Sequence, residues 1–221
     1  MKRIILVTLM LAAMFWAYRI HDRHNFSYLE KLTLTFSTPN GPIEASAVIQ
    51  RDAWRSYLNI ANTGGNYWDR HGEALVADLG QGRYLFVPIS EWPKLVEVMY
   101  DQGLAYGRTE LKSQNALRAQ TSPVVLTPEQ MPKMAYFRDL ADPTSIVSVD
   151  PDNLTAVFGE GFTLTRATLQ TTDDPVTEGR TKPLLEWLGV YNKWLDVTYS
   201  DGRSRTYSST HFDTDIYDDE S

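Results

Sequence analysis

The chain has 221 residues, no cysteine, and 21 Lys and Arg against 28 Asp and Glu, for a net charge of −7. The absence of cysteine excludes disulfides, thiolate zinc sites and cysteine nucleophiles. The acidic balance argues against broad nucleic-acid binding, which takes clustered Lys and Arg, and six Trp with twelve Tyr exclude a largely disordered chain.

Lys2 and Arg3 precede an uncharged run, Ile4 to Tyr18, and Arg19, His21, Asp22, Arg23 and His24 follow it. A spanning helix wants about 20 apolar residues, so this run is a short anchor. Cleavage would need small residues at −3 and −1, and the best candidate, Leu11-Ala12-Ala13, leaves little apolar stretch before it. The segment therefore reads as an uncleaved signal anchor. The basic residues before it place the N-terminus in the cytoplasm. The expectation is a single-pass protein of a bacterial inner membrane, held through residues 4–18, with its soluble domain in the periplasm. A cysteine-free domain suits that compartment. Residues 1–24 form the anchor and juxtamembrane segment, 25–212 the soluble domain, and 213–221 an acidic tail expected to be disordered. Asp218, Asp219 and Glu220 lie in that tail.

Along the domain, Leu32, Leu34 and Phe36 alternate with Thr33, Thr35 and Ser37, a half-buried strand by its period of two. Thr38-Pro39-Asn40-Gly41 turns the chain into a second strand, Ile43 to Gln50. Residues 52–60 (DAWRSYLNI) read as a short helix capped by Asp52. Glu73 to Leu79 and Arg83 to Ile89 form a second hairpin around Gly80-Gln81-Gly82. The unbroken Leu85-Phe86-Val87 marks a central strand. Trp92, Leu95, Val96 and Met99 have helical spacing over 91–102. Residues 103–120 read as a surface helix or a long loop. Val124 to Leu126 is a short strand, and Thr127-Pro128-Glu129 starts a short helix. A further short helix follows Asp150-Pro151-Asp152 and stops at Gly159. Phe162 to Thr171 alternates as a strand, and Leu184 to Leu188 reads as a short helix. Lys193 to Tyr199 and Arg203 to Phe212 make a third hairpin on Asp201-Gly202. The fold class is α+β: a single domain with a mostly antiparallel sheet of hairpins and several short helices, after the N-terminal transmembrane helix.

Two Asp-Pro dipeptides give residues 135–161 a regular style. Phe137-x-Asp139-x-x-Asp142-Pro143-x-Ser145-Ile146 leads to Val149-Asp150-Pro151, and each Asp is placed to cap the turn that its Pro starts. The stretch from about Pro132 to Leu188 resembles small bacterial proteins tethered at the N-terminus, for which no activity is known. That resemblance covers about a quarter of the chain and implies a bacterial origin only.

Enzyme constellations are sparse. His71 and His211 are the histidines of the domain outside the juxtamembrane segment, and neither belongs to a His-x-x-x-His pair. No G-x-S-x-G, G-x-x-x-x-G-K-[ST] or S-x-x-K motif occurs. The reading leans away from an enzyme, with no cofactor and no metal site expected. The leading expectation is a membrane-tethered, envelope-facing domain that binds another protein, as an immunity-like inhibitor or as an accessory subunit. Its contact residues are expected to be Tyr67, Trp68, Asp213 and Asp215, chosen as exposed aromatics and acids. Two alternatives stand beside it. One is an envelope hydrolase using His71 or His211 with a carboxylate, which needs both histidines in one cleft. The other is a glycan binder using exposed Trp and Tyr, which needs a solvent-exposed aromatic row and would fail if Trp68, Trp92 and Trp187 were all buried.

Overall fold

The computed structural model describes residues 7–12, 14–16, 25–55, 66–199 and 202–215. Residues 7–12 and 14–16 are helical. No helix of the described residues is long and apolar enough to cross a membrane, so the expected transmembrane helix is not among the structural findings. The remainder of the anchor, residues 1–6, 13 and 17–24, lies outside the described residues.

The architecture is α+β, with three antiparallel sheets and few short helices. The first sheet runs β3 (Asn66–His71), β2 (Gly41–Arg55), β1 (Asn25–Thr38), β9 (Thr163–Thr171) and β6 (Val124–Val125). The second runs β4 (Leu75–Asp78), β5 (Tyr84–Val87), β7 (Met134–Phe137) and β8 (Ile146–Val149). A hairpin of β10 (Leu195–Thr198) and β11 (Ser204–Tyr207) makes the third.

The first hairpin is longer than its alternation suggests. β1 and β2 pair from Asn25↔Trp54 to Thr38↔Gly41. On β1 the residues Phe26, Tyr28, Glu30, Leu32, Leu34 and Phe36 all point inward and are buried, as strand alternation requires. Each such large apolar side chain contributes about 1.5–3 kcal/mol on burial. Residues 52–55 correct the expected 52–60 helix. They continue β2, with Ala53 buried and Trp54 exposed, because β1 offers a hydrogen-bonding partner at every position up to Asn25. Residues 56–60 lie outside the described residues.

The second sheet is covered on both faces. One core cluster joins the inner face of the first sheet to Leu75, Ala77, Leu85 and Val87, and to Leu95, Val96, Val98 and Met99 of helix α1 (Leu95–Asp101). The other joins Phe86, Ala135 and Phe137 to Leu185, Trp187, Leu188, Val197, Tyr207 and Phe212. Leu85 and Phe86 therefore face different cores, which explains the unbroken apolar run.

One local expectation changes, one is refined and one hairpin is new. Residues 184–188 are a series of turns rather than a helix, with Leu184 N–H and Leu185 N–H both donating to Thr181 O; Pro183 precedes them without a donor. Residues 103–120 hold a 3₁₀ turn, Glu110–Lys112, and helix α2 (Gln114–Ala119). The β7–β8 hairpin was not visible in the sequence pattern. Its connection carries the capping anticipated for the first Asp-Pro, with Asp142 Oδ1 accepting Thr144 N–H at 2.9 Å; after β8 the second does the same, Asp150 Oδ1 accepting Asp152 N–H at 3.0 Å. Helix α3 (Thr155–Phe158) follows and ends at Gly159.

The chain passes from the first sheet to the second between β3 and β4, at Gly72, where φ is +134°. A Cβ there would lie 3.1 Å from Val176 Cγ1 and 3.2 Å from Ile49 Cγ2. Glycine is required by both the backbone conformation and the close approach. This crossing fixes where β3 ends and His71 stands.

Candidate functional site

β3 is an edge strand, and it carries three of the residues singled out by sequence, Tyr67, Trp68 and His71. Alternation along it splits them between faces. Tyr67, Asp69 and His71 share the outer face with their cross-strand partners Trp54, Asp52 and Gln50. Trp68 and Arg70 point to the other side, opposite Ala53 and Arg51.

On the outer face Trp54 and Tyr67 stack, with ring centroids 5.8 Å apart and an interplanar angle of 18°. Both are 37% exposed. Next along the strands, Asp52 stands directly opposite Asp69. Like charges so placed destabilise a sheet, and among the described residues neither is held in an ion pair. Gln50 Nε2 donates to both carboxylate oxygens of Asp52, at 3.1 and 3.0 Å, and Asp69 Oδ1 accepts Arg70 N–H.

Trp68 is 46% exposed and held between two cations, with Arg70 Cζ 4.7 Å and Lys94 Nζ 4.8 Å from its ring. Each such contact adds about 0.5–1 kcal/mol at an exposed site. Arg70 also donates to Ile89 O. Its pKa is lowered to about 10 by burial and by the nearby Arg51 cation. The aromatic edge is thus set in place by contacts behind it.

Asp213 corrects the expected contact set. It is 5% exposed, pairs with Glu73 as a β-bridge, and accepts Asp215 N–H at 2.9 Å. Burial pushes its carboxyl above the usual range, and the neighbouring Glu73 adds to this. Thr214 N–H donates to Gly72 O, and Gly72 N–H to Thr214 Oγ1. The segment to Asp215 is therefore packed against the β3–β4 crossing, where a solvated tail was expected. Residues 216–221 lie outside the described residues.

At that crossing Asp215 Oδ1 lies 3.0 Å from His71 Nδ1. Glu178 joins them, and one ligand atom from each of the three lies within 4.8 Å of the others. Glu178 precedes a loop clasped by Glu73, whose buried carboxylate accepts Gly179 N–H, Arg180 N–H at 2.8 Å, Thr181 N–H at 3.1 Å and Thr181 Oγ1–H at 3.2 Å. Nothing in the sequence pattern marks Glu178 or Glu73, since their roles arise from segments distant in the chain.

The two histidines have different partners, His71 with Asp215 and His211 with Ser208. His211 sits where it feels the Arg70 cation, and Arg70 points to the face of β3 opposite His71. Its Nδ1 accepts Ser208 N–H and contacts Ser208 Oγ, both at 2.9 Å, closing a capping box over residues 209–211. A nitrogen occupied by a backbone donor is poorly placed to take a proton from a serine. Burial, with Arg70 beside it, holds the His211 pKa below its ordinary value. The neutral ring is therefore favoured by folding. That stability is present above about pH 6.5 and is lost as pH falls through the lowered folded pKa. The urea midpoint should fall between pH 7 and pH 5, and His211→Gln, which keeps an acceptor for the cap, should flatten that dependence.

Two tryptophans of the expected aromatic row are buried. Trp92 Nε1 donates to Val87 O and Trp187 Nε1 to Leu140 O. Trp68 alone of the three is exposed. Comparison with family models, with curated proteins and with solved structures finds no match to this chain.

Proposed function

We propose that the chain is a membrane-tethered, envelope-facing domain without catalytic activity that binds a protein carrying a basic surface. Its contact surface is the edge formed by β3 and the end of β2. One observation carries this reading: on one face of the edge the exposed, stacked Trp54 and Tyr67 stand beside the cross-strand pair Asp52 and Asp69, which among the described residues is held in no ion pair, and Trp68 is exposed on the other face of the same strand. Large aromatics at the centre of a contact supply most of its affinity. The carboxylates supply attraction and register toward Lys and Arg of the partner. The tether rests on Lys2, Arg3 and the apolar run to Tyr18, with an acidic domain beyond it. The capped state of His211 favours binding over hydrolysis.

The test is a capture experiment with detergent-solubilised full-length protein and membranes of the source cell. A saturable, salt-sensitive partner should be retained by the native chain. Tyr67→Ser and Asp69→Lys should each weaken its capture by at least about tenfold, roughly 1.4 kcal/mol, while keeping the native melting temperature. Capture that is indifferent to both substitutions would overturn the reading.

A further inference from the structure

We propose that His71, Glu178 and Asp215 form a site for a divalent transition metal, with zinc as its best-fitting occupant. The donor set is mixed: one imidazole nitrogen and two carboxylates. Imidazole nitrogen favours zinc and its transition-metal neighbours over Ca²⁺ and Mg²⁺, which take oxygen ligands. Ca²⁺ would in addition need about six to eight oxygens. Three protein ligands leave a fourth position for water, and the surface location supplies it.

The spacing suits coordination. Tetrahedral zinc with bonds of about 2.0–2.2 Å keeps its donor atoms roughly 3.3 Å apart. His71 Nδ1 and Asp215 Oδ1 are 3.0 Å apart. The Glu178 oxygen lies within 4.8 Å of both, and its exposed side chain closes that gap by a rotamer change. Coordination through Nδ1 leaves the ring proton on Nε2. Two carboxylates and a neutral imidazole balance the two positive charges of the ion.

The stronger argument is how the three ligands are held. They come from positions 71, 178 and 215, and each adjoins a residue of one knot. His71 precedes Gly72, whose N–H donates to Thr214 Oγ1 at 2.9 Å and whose carbonyl accepts Thr214 N–H at 3.1 Å. Glu178 precedes Gly179, the first of three backbone donors on Glu73. Asp215 follows Thr214, and its N–H is held by Asp213. The buried Gly72, Glu73 and Asp213 beneath the half-buried His71 and Asp215 and the exposed Glu178 give the support that a metal site needs behind its donors.

Zinc binding to the detergent-solubilised full chain, followed by calorimetry and by the histidine ring resonances, tests this. One equivalent should bind, with the His71 ring nitrogens perturbed and those of His211 unchanged. His71→Ala, Glu178→Gln and Asp215→Asn should each weaken binding by more than about tenfold, with the metal-free melting temperature unchanged because His71 and Asp215 are 42% and 36% exposed. Excess Mg²⁺ or Ca²⁺ should not displace the zinc. Native zinc affinity in any of the three variants, displacement by Mg²⁺ or Ca²⁺, or no saturable binding at millimolar zinc, would overturn the proposal. None of these readouts depends on a protein partner.

Discussion

Arg51→Met should cost about 3–5 kcal/mol of stability, because it strands Glu30 as an uncompensated buried charge. Glu30 and Arg51 are 0% and 3% exposed, and Arg51 Nε donates to Glu30 Oε1 at 3.0 Å. Arg51 also donates to the Pro93 carbonyl at 3.2 Å, and Glu30 Oε2 accepts Leu95 N–H at 3.1 Å and Tyr28 Oη–H at 3.2 Å. The pair joins β1 and β2 to the start of α1. Burial is the largest influence and opposes the Arg51 charge, but the Glu30 carboxylate together with Tyr28 and Glu110 outweighs it and holds the guanidinium above its ordinary pKa. For Tyr28, burial and the same carboxylate both push the phenol well up. The double variant Glu30→Met with Arg51→Met should recover much of the loss, since both charges then go. Recovery stays incomplete by about 1–3 kcal/mol, because Leu95 N–H loses its acceptor. Urea unfolding of the native, single and double variants measures both quantities. A single variant as stable as the native chain would contradict the assignment.

Glu73→Ala should also destabilise the fold, by a smaller amount. It removes the acceptor of three backbone N–H groups and the Thr181 hydroxyl. Thr181 is buried, whereas Gly179 and Arg180 are exposed and their N–H groups can turn to water; a buried donor left unsatisfied costs about 1–3 kcal/mol, so a total of about 1–3 kcal/mol is expected. Glu73→Gln keeps one carbonyl oxygen and should lose less. The loss is local in origin, so amide exchange at Gly179, Arg180 and Thr181 should accelerate more than exchange in β1 or β9. Uniform acceleration across all strands would show that Glu73 acts on the whole fold rather than on this loop.

Much of the fold was legible because its hairpins are local. Asn40-Gly41 and Gly80-Gln81-Gly82 turn the chain where expected, the latter with Gln81 in the left-handed region at φ +58°. The apolar run at residues 85–87 announced a strand covered on both faces. The errors have physical causes. Trp54 and Leu58 match a helical stripe, but pairing with β1 holds residues 52–55 extended. β7 and β8 have four residues each, too short for a period to stand out between turns. Glu30 interrupts the apolar series of β1 with a charge that only a distant Arg51 makes tolerable.

The site divides in the same way. Tyr67 and Trp68 were chosen as exposed aromatics and are exposed, because the edge position of β3 leaves them uncovered. Asp213 was taken for a solvated tail residue, yet the bridge to Glu73 buries it. His71 showed no ligand spacing along the chain, since the residues around it are contributed from positions 178 and 215. Proximity of that kind belongs to tertiary structure and leaves no trace in local pattern.

The central claim is that the β3 edge is where a partner docks, and site-specific photo-crosslinking tests it most directly. A photoreactive side chain is placed at position 67, on the proposed surface, or at position 157, an exposed site on α3. Both full-length proteins are illuminated in membranes of the source cell. The account predicts one dominant crosslinked protein from position 67, suppressed by high salt, and none of that species from position 157. Equal crosslinking from both positions, or crosslinking from position 157 alone, would contradict it.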